Sequence, residues 1–345
     1  MKSKRAKSLQ RVGGKTMLEM ICKTAESISA KITLIVGFDK NSIINESKSF
    51  DFEISTCEQA SPIGTGDAVK CGINEVDDAD KVLVLYGDVP LIKKETLENL
   101  VSTDDKSLTI LSTKVDNPFG YGRVKKDNDG NVTQIIEEKD ASNADKKISE
   151  IFTGILCCNK VLLAEALEEI KNDNAAGEYY LTDIVSIINK KGFKIKTCIV
   201  SNEEVKGANT KKELSELEET FRKMKSEDLL EMGITVSDPN RVDVRGEVSA
   251  GTDCHIDLNV ILDGVVKLGD NVSIGPNTIL KDVEIGNNTS IEAFSHLVSS
   301  KVGKDCIIGP YARLREGSQI DDSAKVGNFV ETKNCLLYTS PSPRD

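Results

Sequence analysis

Up to about residue 210, apolar residues alternate between short runs and longer stretches with helical spacing. The run ITLIV falls within residues 31–37 and VLVLY within 81–86. Further aliphatic runs at 108–112, 151–157 and 196–200 have the length and composition of strands. Between them lie amphipathic segments such as 16–29 and 161–171. Strands alternating with helices predict an α/β domain with a mixed, mostly parallel sheet. In such sheets ligands sit beyond the carboxyl ends of strands.

Residues 210–233 are polar, with apolar positions at Leu214, Leu217, Phe221, Met224 and Leu229, and they end at Gly233. This spacing predicts a linker helix with a glycine stop. The pattern then changes. Every sixth residue from Val244 to Leu280 is apolar. The register slips by one at Ile285, runs through Ile291 and Leu297, slips again at Val302 and continues through Ile308, Leu314 and Ile320 to Val326. Glycine follows the apolar residue at 269, 275, 286, 303, 309 and 327. A six-residue period predicts a parallel β-helix whose apolar stripe points inward and stacks from coil to coil. From Cys335 to Asp345 the stripe is lost and two prolines lie close together. The expected organisation is therefore 1–209, a linker helix at 210–233, a coil at 234–334 and a non-native tail at 335–345.

Composition narrows the choice. The net charge is -11, from 56 acidic and 45 basic residues, so bulk attraction to nucleic acid or an anionic membrane is not expected. The first fifteen residues nevertheless carry Lys2, Lys4, Arg5, Lys7, Arg11 and Lys15 and no acid. No apolar run has membrane-spanning length, and no secretory signal is visible. The nine cysteines form no CxxC pair, and the only histidines are His255 and His296. Reduced cysteines in a cytoplasmic protein, without a zinc site, are expected.

Four segments of the first domain carry candidate chemistry. EQASPIGTGDA (58–68) places Gly64 and Gly66 around Thr65 just before a helical stretch, where backbone can approach an anion. The same pattern is common in turns. LYGDVP (85–90) ends a strand in Gly87 and Asp88, where a carboxylate can hold Mg²⁺ against phosphates. It can equally cap a turn. NPFGYGR (117–123), followed by EEKD (137–140), and GEYYLTD (177–183) complete the set.

In order and spacing these segments resemble the bacterial bifunctional N-acetylglucosamine-1-phosphate uridylyltransferase / glucosamine-1-phosphate N-acetyltransferase family. VGGK (12–15), EIFTG (150–154), GAN (207–209), IGPYARLR (308–315) and VGNFVETK (326–333) belong to the same resemblance. It implies a Rossmann-like nucleotidyltransferase domain followed by a left-handed β-helix of hexapeptide repeats. It also implies Mg²⁺-dependent transfer of UMP from UTP to N-acetylglucosamine 1-phosphate, giving a cell-wall precursor. By that resemblance Gln59, Gly64 and Thr65 hold the uridine end, Tyr86, Gly87 and Asp88 lie at nucleotide and metal, and Lys7 meets phosphate. Gly122 and Glu137 would contact the sugar, and Asp88 and Asn209 would ligate Mg²⁺. In the coil, Arg315 and Lys333 would bind the phosphate of glucosamine 1-phosphate, with acetyl-CoA as co-substrate. A homotrimer is implied.

The chain also departs from the family. Phe152 stands where the family has an asparagine that meets the sugar. The family's opening LAAGxGTRM loop and its later coils, with the catalytic histidine, have no counterpart between Met1 and Asp345, so truncation at both ends and an inactive acetyltransferase half are expected. Two alternatives remain: a nucleotidyltransferase for a different sugar phosphate, and a non-catalytic trimeric scaffold.

Overall fold

The computed structural model describes residues 1, 3–76, 79–103 and 107–338. Of the expected tail, residues 339–345 lie outside the described residues. The chain folds as two compact units, Met1–Arg11 with Thr16–Leu214, and Val12–Lys15 with Ser215–Asp345.

Early in the chain, β1 (Arg11–Val12) turns into β2 (Lys15–Thr16) through Gly13 and Gly14, both at positive φ. Helix α1 (Met17–Glu26) starts at once, because Thr16 accepts the Glu19 N–H at 3.2 Å. That Thr-x-x-Glu spacing is a helix-start signal. Strand β3 (Ile32–Val36), helix α2 (Lys40–Ser47) and strand β4 (Ile54–Glu58) follow, with β3 and β4 paired in parallel. Helix α3 (Thr65–Ile73) leads to β5 (Lys81–Val84), α4 (Lys94–Val101) and β6 (Leu108–Lys114). The hairpin β7 (Arg123–Lys126) and β8 (Val132–Ile136), the long β9 (Glu150–Asn159), α5 (Lys160–Glu168), α6 (Asp183–Lys190) and β10 (Ile195–Ile199) complete the first unit.

The main sheet has the order β10-β6-β9-β7-β8, with β5 also on β9. Strands β5, β6, β7 and β10 run one way, while β8 and β9 oppose them. The sheet is therefore mixed. Because β9 lies among its neighbours, only β6 and β10 form a parallel ladder within it. Residues of β6 and β9 alternate between two cores. Leu108, Ile110, Leu156 and Cys158 pack with α3, α5 and α6, whereas Leu111, Ile155 and Cys157 pack with α1 and α4. Adjacent Cys157 and Cys158 are thus opposite faces of one strand buried on both sides. All nine cysteines are free, with Cys57, Cys71, Cys198 and Cys335 only half-buried. Burial pushes the Cys22 and Cys158 thiols up to about 12 and that of Cys157 to about 11, which makes them packing residues rather than nucleophiles.

Helix α7 (Lys211–Glu231) is longer than a linker needs, and the division of the units falls within it. Residues 12–15 go with the second unit. There the Gly13 N–H donates to Glu218 at 2.9 Å, and the Phe221 ring packs where a Gly13 side chain would project.

After α7 the second unit winds into parallel coils. One column of strand pairs carries Ile256, Ile274, Ile291, Ile308 and Val326 inward. A second carries Val244, Leu262, Leu280, Leu297 and Leu314, ending at Thr332. The third carries Leu268, Ile285, Val302, Ile320 and Leu337. The strand Leu336–Leu337 pairs with Gln319–Ile320, so stacking continues beyond residue 334. Both register slips fall at one corner. Gly264 and Val265 face the single residue Asp282, and the next coil keeps the shorter path, with Val283 opposite Ser300. Buried polar groups close the turns, as where Thr289 donates to the Gly303 carbonyl at 2.7 Å.

Corner residues adopt left-handed backbone. One column begins with Asn259 and Asn277, joined side chain to side chain at 2.9 Å. It continues with Phe294, Tyr311 and Phe329, whose rings stack at 5.0 and 5.3 Å.

Ile274 is fully buried between Ile256 and Ile291. Replacing Ile274 by Ala is expected to destabilise the coil by about 3 kcal/mol. A fall in its denaturant midpoint at unchanged m-value reads this out, and an unchanged midpoint contradicts the stacked stripe.

Candidate functional site

Lys7 lies in a single helical turn, Lys7–Leu9, ahead of the hairpin. Its ammonium is 2.6 Å from Asn209 Oδ1 and 3.4 Å from Asp88 Oδ2. Asp88 follows β5 at the sheet's carboxyl end. Gly207 lets the 207–209 segment approach it, since a Cβ there would lie 3.0 Å from the Asp88 carbonyl oxygen. Asn209 is fixed by Glu213, which accepts its N–H at 2.6 Å and that of Thr210 at 3.2 Å. Thr210 in turn accepts the Glu213 N–H at 3.1 Å. Two side-chain oxygens from distant segments thus converge on one cation. The Lys7 and Asp88 side chains are 50% and 25% exposed, so water screens the pair and its value lies in geometry more than stability.

A second group surrounds the start of α3. Gly64 has φ of 138°, and a Cβ there would come within 2.3 Å of the Tyr179 carbonyl oxygen. The Gly66 N–H donates to that same oxygen at 2.8 Å, and the Tyr179 N–H returns to Ile63 at 2.9 Å. Thr65 Oγ1 accepts the Leu181 N–H at 3.1 Å. Gln59 spans the entrance, donating to the Gly64 carbonyl at 3.1 Å and to Asp67 at 2.8 Å. Residues 63–66 are therefore held on strand-like bonds to 179–181, with Thr65 exposed at the helix start.

Tyr86 links these groups. Burial pushes its phenol up to about 12, opposed by a hydrogen bond with Thr65 and reinforced by the charges of Glu137 and Asp88. Its ring fills the space over Gly154, whose φ is 89° and where a Cβ would come within 2.5 Å of the ring. Gly87 carries no such restriction, since a Cβ there would make ordinary contacts with Ser8 and Leu18.

The third group lies at the β7–β8 end of the sheet. A side chain on Gly122 would press on Ile135 at 2.8 Å and stand 3.6 Å from Glu137 Oε1. Glu137 accepts from the Thr182 hydroxyl at 3.0 Å. Burial raises its pKa above the usual carboxylate value, Thr182 and Arg123 oppose the rise, and Asp140 and Glu178 add to it. Asp183 is likewise raised, by burial and then by Glu137 and Asp140. Phe152 is nearly buried, in the core with Val124 and Ile135, and its N–H donates to the Gly122 carbonyl at 2.8 Å.

The ten residues singled out in the first unit thus form one chain of contacts and charge couplings, from Gln59 through Gly64, Thr65 and Tyr86 to Asp88 with Lys7 and Asn209, and to Glu137 with Gly122. Gly87 is carried between Tyr86 and Asp88. Sequence reasoning gave no role to Asp67, Gly154, Tyr179, Thr182 or Gly207. The two glycines were the available signal, because each stands where another group needs the space. In the coil, Arg315 and Lys333 follow the paired Leu314 and Thr332, so they hold the same position on consecutive turns. Both are exposed, and Arg315 lies 3.3 Å from Glu331.

Residues 1–176 match the family model of the MobA-like NTP transferase domain, and residues 265–298 that of the bacterial transferase hexapeptide (six repeats). The bifunctional protein GlmU of Alkalilimnicola ehrlichii is 41% identical over 335 residues, covering 96% of this chain and 72% of that protein. GlmU of Burkholderia multivorans is 41% identical over 340 residues, covering 98% and 75%. Among solved structures, a nucleoside-diphosphate-sugar pyrophosphorylase from Vibrio cholerae RC9 overlays with a TM-score of 0.50. It is 17% identical, covers 63% of this chain and 92% of its own, and attests the fold alone.

Glu137 supplies a pH test. Its raised pKa means that the folded unit holds this proton more tightly than the unfolded chain does. Its contribution to stability is therefore full below the ordinary 4.5 and is lost as pH rises through the folded value. Glu137→Gln is expected to raise the urea midpoint of the first unit at pH 7.5, and the gain should vanish toward pH 4. A midpoint below that of the unsubstituted protein at pH 7.5 would contradict the assignment.

Proposed function

This chain belongs to the GlmU family of bifunctional proteins, and from that premise we propose how its residues serve a nucleotidyltransferase. The reaction makes UDP-N-acetylglucosamine, a cell-wall precursor, from UTP and N-acetylglucosamine 1-phosphate. A phosphate oxygen of the sugar phosphate bonds to the α-phosphorus of UTP. The bond from that phosphorus to the β-phosphate oxygen breaks, and pyrophosphate leaves. Such a transfer needs positioning and charge neutralisation rather than a protein nucleophile.

The observation that carries this reading is the convergence of Asp88 and Asn209 on the Lys7 ammonium. The same two oxygens would hold Mg²⁺. Among the described residues no three His, Cys, Asp or Glu side chains cluster, so the remaining ligands would be phosphate and water oxygens, which suits this ion. When bound, the metal neutralises phosphate charge. Lys7, released from its pairing, would then meet the phosphates. Gln59 and the start of α3 at Gly64 and Thr65 would receive the uridine end, with Tyr86 and Gly87 alongside. Gly122 would contact the sugar, and Glu137 would accept from one of its hydroxyls.

In the coil, the stacked Arg315 and Lys333 would hold the phosphate of glucosamine 1-phosphate. Trimer assembly through the coils and work in the cytoplasm, on soluble sugar phosphates, fit the same reading. In the described residues no helix is long and apolar enough to cross a membrane.

A second reading, transfer to a different sugar phosphate, is favoured by Phe152. Its buried ring offers no hydrogen bond to an N-acetyl group beside Gly122.

Asp88→Asn is expected to lower Mg²⁺-dependent pyrophosphate release by about a hundredfold or more. Activity within threefold of the unsubstituted protein would remove Asp88 from the site. Comparing kcat/KM for N-acetylglucosamine 1-phosphate and glucose 1-phosphate separates the two readings. Preference for the N-acetyl sugar supports the first, and equal or reversed preference establishes the second.

A further inference from the structure

Arg123 opens strand β7 and is almost completely buried, at 1% exposure. One arm of its guanidinium donates to the carbonyl of Tyr121. The other meets Glu138 Oε2 at 2.5 Å. Glu138 also accepts the Gly120 N–H at 3.2 Å and lies 3.6 Å from Lys146. The Arg123 hydrogen bond is the main cause of the lowered Glu138 pKa, so the carboxylate is charged and committed to this partner.

The cation is costly where it lies. Its Nε has no partner, and an unsatisfied buried donor destabilises a fold. A buried ion pair is also seldom better than well-packed apolar residues. If packing were the only requirement, an aliphatic side chain like that of neighbouring Val124 would meet it.

The guanidinium instead does something no aliphatic group can. Gly122 and Glu137 are the first residues beyond the paired ends of β7 and β8. The β7–β8 ladder does not reach them. Arg123 grips Tyr121, just before Gly122, and Glu138, just after Glu137. Its planar fork fixes two acceptors at a set separation, whereas an ammonium is a single point donor.

We propose that Arg123 is a positioning residue that sets the spacing of Gly122 and Glu137, and thereby the fit of the sugar phosphate, without touching substrate. The proposal rests on the reading of Gly122 and Glu137 as sugar contacts.

Arg123→Lys and Glu138→Gln test it, each first checked for an unchanged far-ultraviolet circular dichroism spectrum. Steady-state kinetics in the UTP-consuming direction should show KM for N-acetylglucosamine 1-phosphate rising by about tenfold. KM for UTP should stay within twofold. If both KM values rise together, or neither moves, Arg123 is only a packing residue. Hydrogen exchange of the unliganded protein supplies the second measurement. Amides of residues 119–122 should exchange faster in both variants, while those of the α3 start should not. Unchanged exchange at 119–122 overturns the proposal even for a variant with altered kinetics. Failure of the unsubstituted protein to turn over UTP with any sugar 1-phosphate would instead sink the functional reading, and exchange would still decide the clamp.

Discussion

One ammonium ties together the two segments that frame the first unit's site. Lys7 bonds to Asn209, 202 positions away in sequence, and reaches Asp88 between them. The interaction is half exposed and adds little to stability. Its importance is geometric, because it aims a carboxylate and an amide oxygen at one point before any ligand is present. Every other group in the site can be traced to that point. Tyr86 precedes Asp88 by two residues and carries the link to Thr65, while Glu137 is coupled to Tyr86 through charge. Gly207 gives the Asn209 segment its close approach.

The site also concentrates groups that the fold would be more stable without. Glu137 and Asp183 are carboxyls raised by burial, and Arg123 is a buried cation with an idle donor. They are far apart in sequence but coupled through charge, Glu137 to Arg123 and Asp183 to Glu137. Buried thiols follow the opposite rule. Cys22, Cys157 and Cys158 are raised so far that they stay protonated, and they behave as small hydrophobes. Natural proteins tolerate such locally costly groups chiefly where function requires them.

Much of the fold was legible in the sequence. The long strands β6 and β9 were readable because both faces are buried and each carries several aliphatic residues. The stripe of the coil was readable because each inward residue repeats a single environment. The hairpin β7–β8 was not, since RVKK and VTQII mix polar and apolar residues at a sheet edge. Strand β4, ISTCE, is half exposed and carries too little apolar signal. Antiparallel β9 among strands of the opposite direction leaves no local trace, because direction is set by connections. In the candidate site, a strand end singled out Asp88 and a glycine pair singled out Gly64. Tyr179 and Leu181 act through backbone groups, which any residue type could supply. The assignment of Glu137 and Gly122 came from resemblance, and their partner Thr182 emerged only when the chain was folded.

The two short coils show how the solenoid handles lost residues. Each step from Leu280 to Ile285 and from Leu297 to Val302 is one residue short, yet the inward columns are unbroken. Both omissions fall at the same corner, where Asp282 and Ser299 adopt left-handed backbone. A deletion in a strand would reverse the facing of every residue after it. A deletion at a corner only trims the bend, and the next face starts in phase. Chain length and cross-section are therefore decoupled at that edge, so related coils can drift in length there while their interiors stay in register. An exact count of six is a property of the faces, not of the turn between them.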